Sequence, residues 1–366
     1  MKFYVGDYTG LGGPGVCECE LADGALRFVQ AADTKIEDPT YLILSGDGKT
    51  LFATSSSPSD GEEGGSVATF DLSEGGLRLT SMHSTAGGSA CHLTLSPDER
   101  FLYVANYNDG KLTVFPVSEG KVGTRIQLIQ HEGHGPNPDR QECPHVHFVT
   151  FHPEDGRLYA VDLGLDAVMI YRQDEKTGLL TLDERVDVPA GMGPRHLAFR
   201  GDMMYVAHEL GGAVSVFRAS MGGWQLEQTL STIPEGGGSE GAVAAIRILG
   251  DRLYVSNREN DDIAEFGIRM GGSLVLERNI PTFGNFPRDF LPLEEGLFLV
   301  ANQNSGDIRL IAAAPMNMPR RQTFRMGMRA ILGEYVSEMD LMMGGVFEAC
   351  DPLELPGAVC VCPAKA

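Results

Sequence analysis

The chain has nine histidines, and several open short apolar stretches. Cys91-His92, Pro144-His145-Val146-His147 and Pro194-Arg195-His196 each precede a strand-like run that leads to an Asp/Gly turn, and His208-Glu209 ends a run of the form Met204-Tyr205-Val206-Ala207-His208. Two prolyl-arginines, Arg195 and Arg288, stand in matching contexts, and Arg247 lies in Ala245-Ile246-Arg247-Ile248. One such residue alone reads as a hydrogen-bonded strand terminus; the set reads as a site. Guanidinium pairs grip phosphate or carboxylate bidentately and stay charged at any working pH, so Arg195 and Arg288 predict a locally positive pocket. A histidine near neutral pKa activates water as a general base. Fixed donors stabilise a tetrahedral oxyanion, and a cationic anchor holds an anionic tail in place. His147, Glu209, Arg195 and Arg288 are the candidate catalytic residues for hydrolysis of an ester-type carbonyl on that chemistry. His145, His196, Arg247, Arg258 and His92 are candidate substrate-binding residues. No G-x-S-x-G element occurs, so a serine nucleophile elbow is not supported.

A metal reading competes in one segment. His131, His134, His145 and His147 crowd together with Glu132 and Glu142, and His145-x-His147 puts two rings on one face of a strand, as in some zinc sites. The intervening Gly133-His134-Gly135-Pro136-Asn137-Pro138-Asp139-Arg140 has the composition of a loop, and a substrate-covering loop is the preferred reading. Cys17-x-Cys19 and Cys360-x-Cys362 become candidate metal neighbours if the chain ends meet, although small buried cysteines explain them better. The expectation is a site without metal or cofactor.

The elements that position these residues follow from a repeat. Phe3-Tyr4-Val5-Gly6-Asp7, Leu51-Phe52-Ala53-Thr54-Ser55, Leu102-Tyr103-Val104-Ala105-Asn106, Leu158-Tyr159-Ala160-Val161-Asp162, Met204-Tyr205-Val206-Ala207-His208, Leu253-Tyr254-Val255-Ser256-Asn257 and Phe298-Leu299-Val300-Ala301-Asn302 are copies of one pattern, spaced 48, 51, 56, 46, 49 and 45 residues apart. That period fits one four-stranded propeller blade per copy. Turn sequences such as Ser45-Gly46-Asp47-Gly48-Lys49 and Ser96-Pro97-Asp98-Glu99-Arg100 precede the copies, with the Asp and Gly residues that tight turns favour. The prediction is an all-β, seven-bladed propeller forming one domain over residues 1–366, with polar residues at equivalent blade positions meeting at one mouth of the central channel. Gly357-Ala358-Val359-Cys360-Val361-Cys362 reads as a strand that closes the ring against the N-terminal blade, because an open ring leaves unpaired edges. Residues 322–344, methionine-rich with helix-like spacing, read as a helical or irregular insertion in the last blade.

Composition bounds the partners. Of 366 residues, 42% are hydrophobic and 22% charged, and the formal net charge is −21. Such a charge repels nucleic acid and anionic membranes. The expected partner is a small anionic molecule, with no nucleic acid and no membrane; nothing in the pattern sets an oligomeric state. Met1–Asp7 lacks the apolar core of a signal peptide, and seven scattered cysteines read as reduced thiols, so the expected location is the cytoplasm.

These motifs resemble a known family. Arg140-Gln141-Glu142-Cys143-Pro144-His145-Val146-His147, Asp162-Leu163-Gly164-Leu165-Asp166, Gly193-Pro194-Arg195-His196, His208-Glu209-Leu210, Val255-Ser256-Asn257-Arg258 and Ala301-Asn302-Gln303 are similar to signatures of the propeller-type lactonases, as is Tyr4-Val5-Gly6-Asp7-Tyr8-Thr9. That family includes bacterial 6-phosphogluconolactonase and fungal carboxymuconate cyclase. The resemblance runs from the N-terminus to about Asp307. It implies seven blades, a metal-independent site in the central mouth, and a catalytic set of one histidine, two arginines and a glutamate, which by motif fall on His147, Arg195, Arg288 and Glu209. The implied reaction is hydrolysis of a sugar lactone, foremost 6-phospho-D-glucono-1,5-lactone; a lactonising cycloisomerase acting on a carboxylated muconate and a non-catalytic interaction platform are the alternatives. Two departures bear on the substrate: Ala245 stands where family members often have an acid, and Ser55 to Ser57 replace a glutamate often seen after the second blade's strand.

Overall fold

Aromatic and β-branched residues favour a pleated, packed strand, and the seven repeats do form equivalent strands. The computed structural model describes residues 1–234, 241–314 and 345–364. They form seven antiparallel sheets arranged as the blades of a propeller. The repeated run is always the second strand from the centre: Lys2–Asp7, Thr50–Ser55, Phe101–Asn106, Leu158–Asp162, Met203–His208, Arg252–Asn257 and Leu297–Asn302. The innermost strands of blades 2 to 7 are Leu42–Leu44, Ala90–Leu95, Val146–Phe151, Pro194–Arg200, Val243–Leu249 and Pro287–Glu294. In blade 1 that place is taken by Ala358–Pro363, which pairs antiparallel with Lys2–Asp7 and closes the ring as the sequence predicts.

The turn between the two inner strands uses one device in several blades. The Asp47 carboxylate accepts from the Ser45 hydroxyl (2.8 Å) and the Lys49 amide (3.0 Å). Asp98 does the same with Ser96 (2.7 Å) and Arg100 (3.2 Å). Such side-chain-to-backbone bonds are the reason aspartate favours turns.

The core is not one body of apolar side chains but seven layers, each between neighbouring blades. This layering decides between the two readings of the cysteine pairs. Cys17 and Cys19 pack in the layer between blades 1 and 7, whereas Cys360 and Cys362 pack between blades 1 and 2. The strand Lys2–Asp7 lies between the two pairs, so they face opposite sides of the blade and form no joint metal site. All seven cysteines are free thiols. The insertion expected at 322–344 lies outside the described residues. Among the described residues, no helix is long and apolar enough to cross a membrane.

Candidate active site

Two local features recurring among the blades aim side chains at one mouth of the channel. The first is a β-bulge near the start of the innermost strand. In six blades the pairing with the second strand skips a position there: Val359, Cys91, His147, Arg195, the pair Ala244-Ala245, and Arg288. A bulge leaves its residue unpaired and re-aims the side chain. The second feature is the polar residue that ends each second strand. In several blades its side chain ties down neighbouring backbone: Asp7 accepts from the Gly15 amide (2.9 Å), Asp162 from the His145 and Leu165 amides (2.8 and 3.0 Å). In five blades the next residue lines the mouth. Tyr8, Ser56, Tyr107, Glu209 and Arg258, each one step past such a residue, line a cavity of about 320 Å³, together with His147, Arg140 and Arg288.

Glu209 is the hub. Its carboxylate meets Arg140 Nη2 at 2.7 Å, Arg258 Nη2 at 2.9 Å and Arg195 Nε at 3.0 Å, with His147 Nε2 at 4.0 Å. Burial alone pushes its pKa up; the Arg258 and Arg195 charges, with His147 and Arg140, outweigh burial and hold it well below the usual carboxylate range. Burial, then Arg288 and Arg258, pull Arg195 down to about 9, so it remains a cation at neutral pH. Burial and the Arg195 charge drive His147 far below 6.5, which leaves its ring neutral at pH 7. His147 Nδ1 has no hydrogen-bond partner among the described residues.

Arg288 differs from the other three arginines. It donates to Gln303 Oε1 at 3.3 Å and lies over the Tyr8 ring at 5.3 Å. Among the described residues no carboxylate pairs with it. The mouth therefore holds one guanidinium whose charge is not neutralised by a partner, inside a chain of net charge −21.

The remaining sequence candidates divide. Arg258 is in the cavity wall, held over Phe286 at 5.2 Å. Arg195 and His196 border a smaller cavity of about 20 Å³ shared with His147 and Arg288. His92, one residue past the bulge, is packed between Tyr41 and Phe148 at centroid distances of 3.8 and 4.1 Å and lines neither cavity. His145 also lines neither; it stacks on Tyr107 at 4.5 Å. Arg247 corrects the expectation of a substrate contact in the mouth: it donates to Asp289 Oδ1 at 2.6 Å and borders a different cavity, with Tyr41 and Cys360. The reason is register. Ala244 and Ala245 occupy the bulge of blade 6, which puts Arg247 beyond it. His131, part of the crowded histidine segment, is held in the structure by Asp162 (2.6 Å) and the Tyr171 hydroxyl (2.8 Å). Tyr107 and Arg140 were missed as site residues. The repeat gave the signal for Tyr107, since it follows Asn106 as Glu209 follows His208.

Comparison with known proteins bears on what this mouth does. The family model described as "Lactonase, 7-bladed beta-propeller" matches residues 2–323. The chain belongs to the seven-bladed β-propeller lactonase family. A lactonase-family relative named 6-phosphogluconolactonase, from Bacillus subtilis, is 33% identical over 318 residues, 84% of this chain and 89% of its own. Among solved structures, a periplasmic gluconolactonase of Pseudomonas aeruginosa is 27% identical with a TM-score of 0.83, covering 99% of this chain and 98% of its own. A putative 6-phosphogluconolactonase from Bacteroides fragilis is 25% identical with a TM-score of 0.81, covering 98% and 96%.

Proposed function

We propose that this chain hydrolyses 6-phospho-D-glucono-1,5-lactone to 6-phosphogluconate, a step of the oxidative pentose phosphate pathway. The observation that carries the reading is Arg288: a cation without a carboxylate partner, in a cavity whose other two arginines, Arg140 and Arg258, are committed to Glu209, as is Arg195 at the smaller cavity. A phosphate dianion complements it, because charge-assisted guanidinium–phosphate bonds are short and strong.

In this reading Glu209, 4.0 Å from His147 Nε2, orients the ring, and the neutral imidazole accepts a proton from water. The water oxygen attacks C1 of the lactone, and the carbonyl oxygen becomes an oxyanion facing Arg195. Collapse breaks the bond between C1 and the ring oxygen. His147 returns the proton to that oxygen, the new carboxylic acid gives up the second water proton to solvent, and the product leaves as a carboxylate and a hydroxyl. A neutral His147 is the state that accepts a proton, and fixed cations stabilise developing negative charge without reorganisation. A cytoplasmic location, where phosphorylated sugars are retained, belongs to the same proposal.

Side-by-side initial rates on freshly made 6-phosphogluconolactone and on unphosphorylated glucono-1,5-lactone test the substrate. Arg288→Gln is expected to raise KM for the phosphorylated lactone by about 10- to 100-fold, the loss of one hydrogen bond to a charged group, and to leave the unphosphorylated lactone unaffected. Equal handling of both lactones by the wild type and by Arg288→Gln contradicts the phosphate assignment; turnover of a carboxylated muconate in their place transfers the arginines to cycloisomerisation.

A further inference from the structure

We propose that Glu142, Cys143 and His145 form a binding site for one zinc-class divalent cation on the rim of the mouth, separate from the lactone cavity and independent of the substrate reading. The three donor atoms converge: Glu142 Oε1 lies 3.5 Å from His145 Nε2, Cys143 Sγ lies 3.8 Å from the same nitrogen, and Cys143 Sγ lies 4.0 Å from Glu142 Oε1. Among the described residues this is the one group of histidine, cysteine and acidic donors close enough to share an ion. Tetrahedral zinc, with bonds of about 2.0 Å to nitrogen or oxygen and about 2.3 Å to sulfur, holds its donors roughly 3.3 to 3.6 Å apart. The observed separations contract onto that geometry by a few tenths of an ångström.

The histidine is prepared for the role. Its Nδ1 sits 2.8 Å from the Tyr107 carbonyl oxygen, which only accepts, so Nδ1 carries the proton and Nε2 presents a lone pair to the trio. Zinc-ligating histidines characteristically donate their other ring proton to a carbonyl or carboxylate in this manner. The His145 ring is buried, stacked on Tyr107, and its backbone amide is fixed by Asp162. Thiolate, imidazole and carboxylate together select zinc over magnesium or calcium, which prefer oxygen alone. Binding converts the Cys143 thiol to a zinc thiolate and releases its proton to solvent; a water completes the fourth position.

The ion would tie down the segment that carries Arg140, two residues before Glu142. Arg140 reaches Glu209 at 2.7 Å and the Tyr107 hydroxyl at 3.2 Å. The site is thus a clamp on the mouth rather than part of the chemistry. Neither Glu142 nor Cys143 lines the lactone cavity.

The test uses the full chain, stripped with chelator and titrated with Zn²⁺ by calorimetry and with Co²⁺ by absorbance. The expected result is one equivalent per chain, with a thiolate-to-cobalt charge-transfer band in the near ultraviolet. Cys143→Ser and Glu142→Gln are each expected to weaken Zn²⁺ binding at least tenfold, since even loss of an outer-shell partner costs about that much. Cys143→Ser is also expected to abolish the band while keeping the wild-type circular dichroism and lactone turnover. Failure of the wild type to bind, or binding that is the same in Cys143→Ser and Glu142→Gln as in the wild type, overturns the site. Both outcomes are independent of which lactone the enzyme opens.

Discussion

Glu209 shows what a single side chain settles here. Three guanidinium groups converge on one buried carboxylate. A Glu209→Gln variant leaves Arg195 buried beside Arg258 and Arg288 without its counter-charge. Breaking a buried pair from one side costs about 3–5 kcal/mol, so denaturant midpoints should fall accordingly. The sign with pH follows from its depressed pKa: the folded state binds fewer protons than the unfolded one. The stabilisation is therefore complete above the unfolded pKa of 4.5 and is lost as pH falls from there towards the folded value. In Glu209→Gln that acid-side slope should disappear. At this scale the sequence was partly legible. His147, Arg195, Glu209 and Arg288 stood out because charged and imidazole groups are conspicuous at the ends of apolar strands. Tyr107 did not, since an aromatic beside a strand reads as packing. Arg247 was misplaced because sequence alone does not reveal which residue a bulge skips.

The β-bulge is the element that turns seven similar strands into a site. It sits at the same place in six blades while its residue changes from Val359 to Cys91, His147, Arg195, Ala244-Ala245 and Arg288. One scaffold device is thus filled with apolar, thiol, imidazole or guanidinium side chains as the blade requires. The loop before blade 4 depends on an equally local constraint. A Cβ on Gly164 would lie 1.9 Å from the Cys143 carbonyl oxygen and 2.9 Å from the His145 amide. Gly164→Ala must displace the segment leading into His147, at a cost of about 1–3 kcal/mol, the usual range for overpacking. Thermal unfolding should show that loss, and kcat/KM should fall with it; unchanged stability and activity would show that the close approach is not needed. The glycine was visible in Asp162-Leu163-Gly164-Leu165-Asp166, but its reason lies in a contact across the chain that no local pattern encodes.

For the whole molecule, ring closure and charge distribution matter most. The strand Ala358–Pro363 covers the inner edge of Lys2–Asp7 and contributes Val361 to one inter-blade layer and Cys360 to the next. Deleting it exposes a paired edge and two apolar layers, so the truncated chain is expected to lose its cooperative melting transition and to aggregate; a soluble truncated chain with the wild-type transition would refute the account of closure. The blade count and the closing strand were legible because they repeat or complete a periodic pattern. The convergence of Arg140, Arg195, Arg258 and Arg288 on one mouth was legible only in part, because it depends on where each loop returns. A net charge of −21 surrounds that cationic mouth, which suits an anionic substrate drawn to one local field. The central claim is that this mouth opens lactones with His147 as the base. Its most direct test is kcat/KM for freshly made 6-phosphogluconolactone at pH 7, corrected for spontaneous ring opening, in the wild type and in folded His147→Ala. The account predicts clear wild-type turnover and a drop of about 10²- to 10⁴-fold in the variant. Wild-type turnover no faster than the spontaneous reaction, or an undiminished His147→Ala, would contradict it.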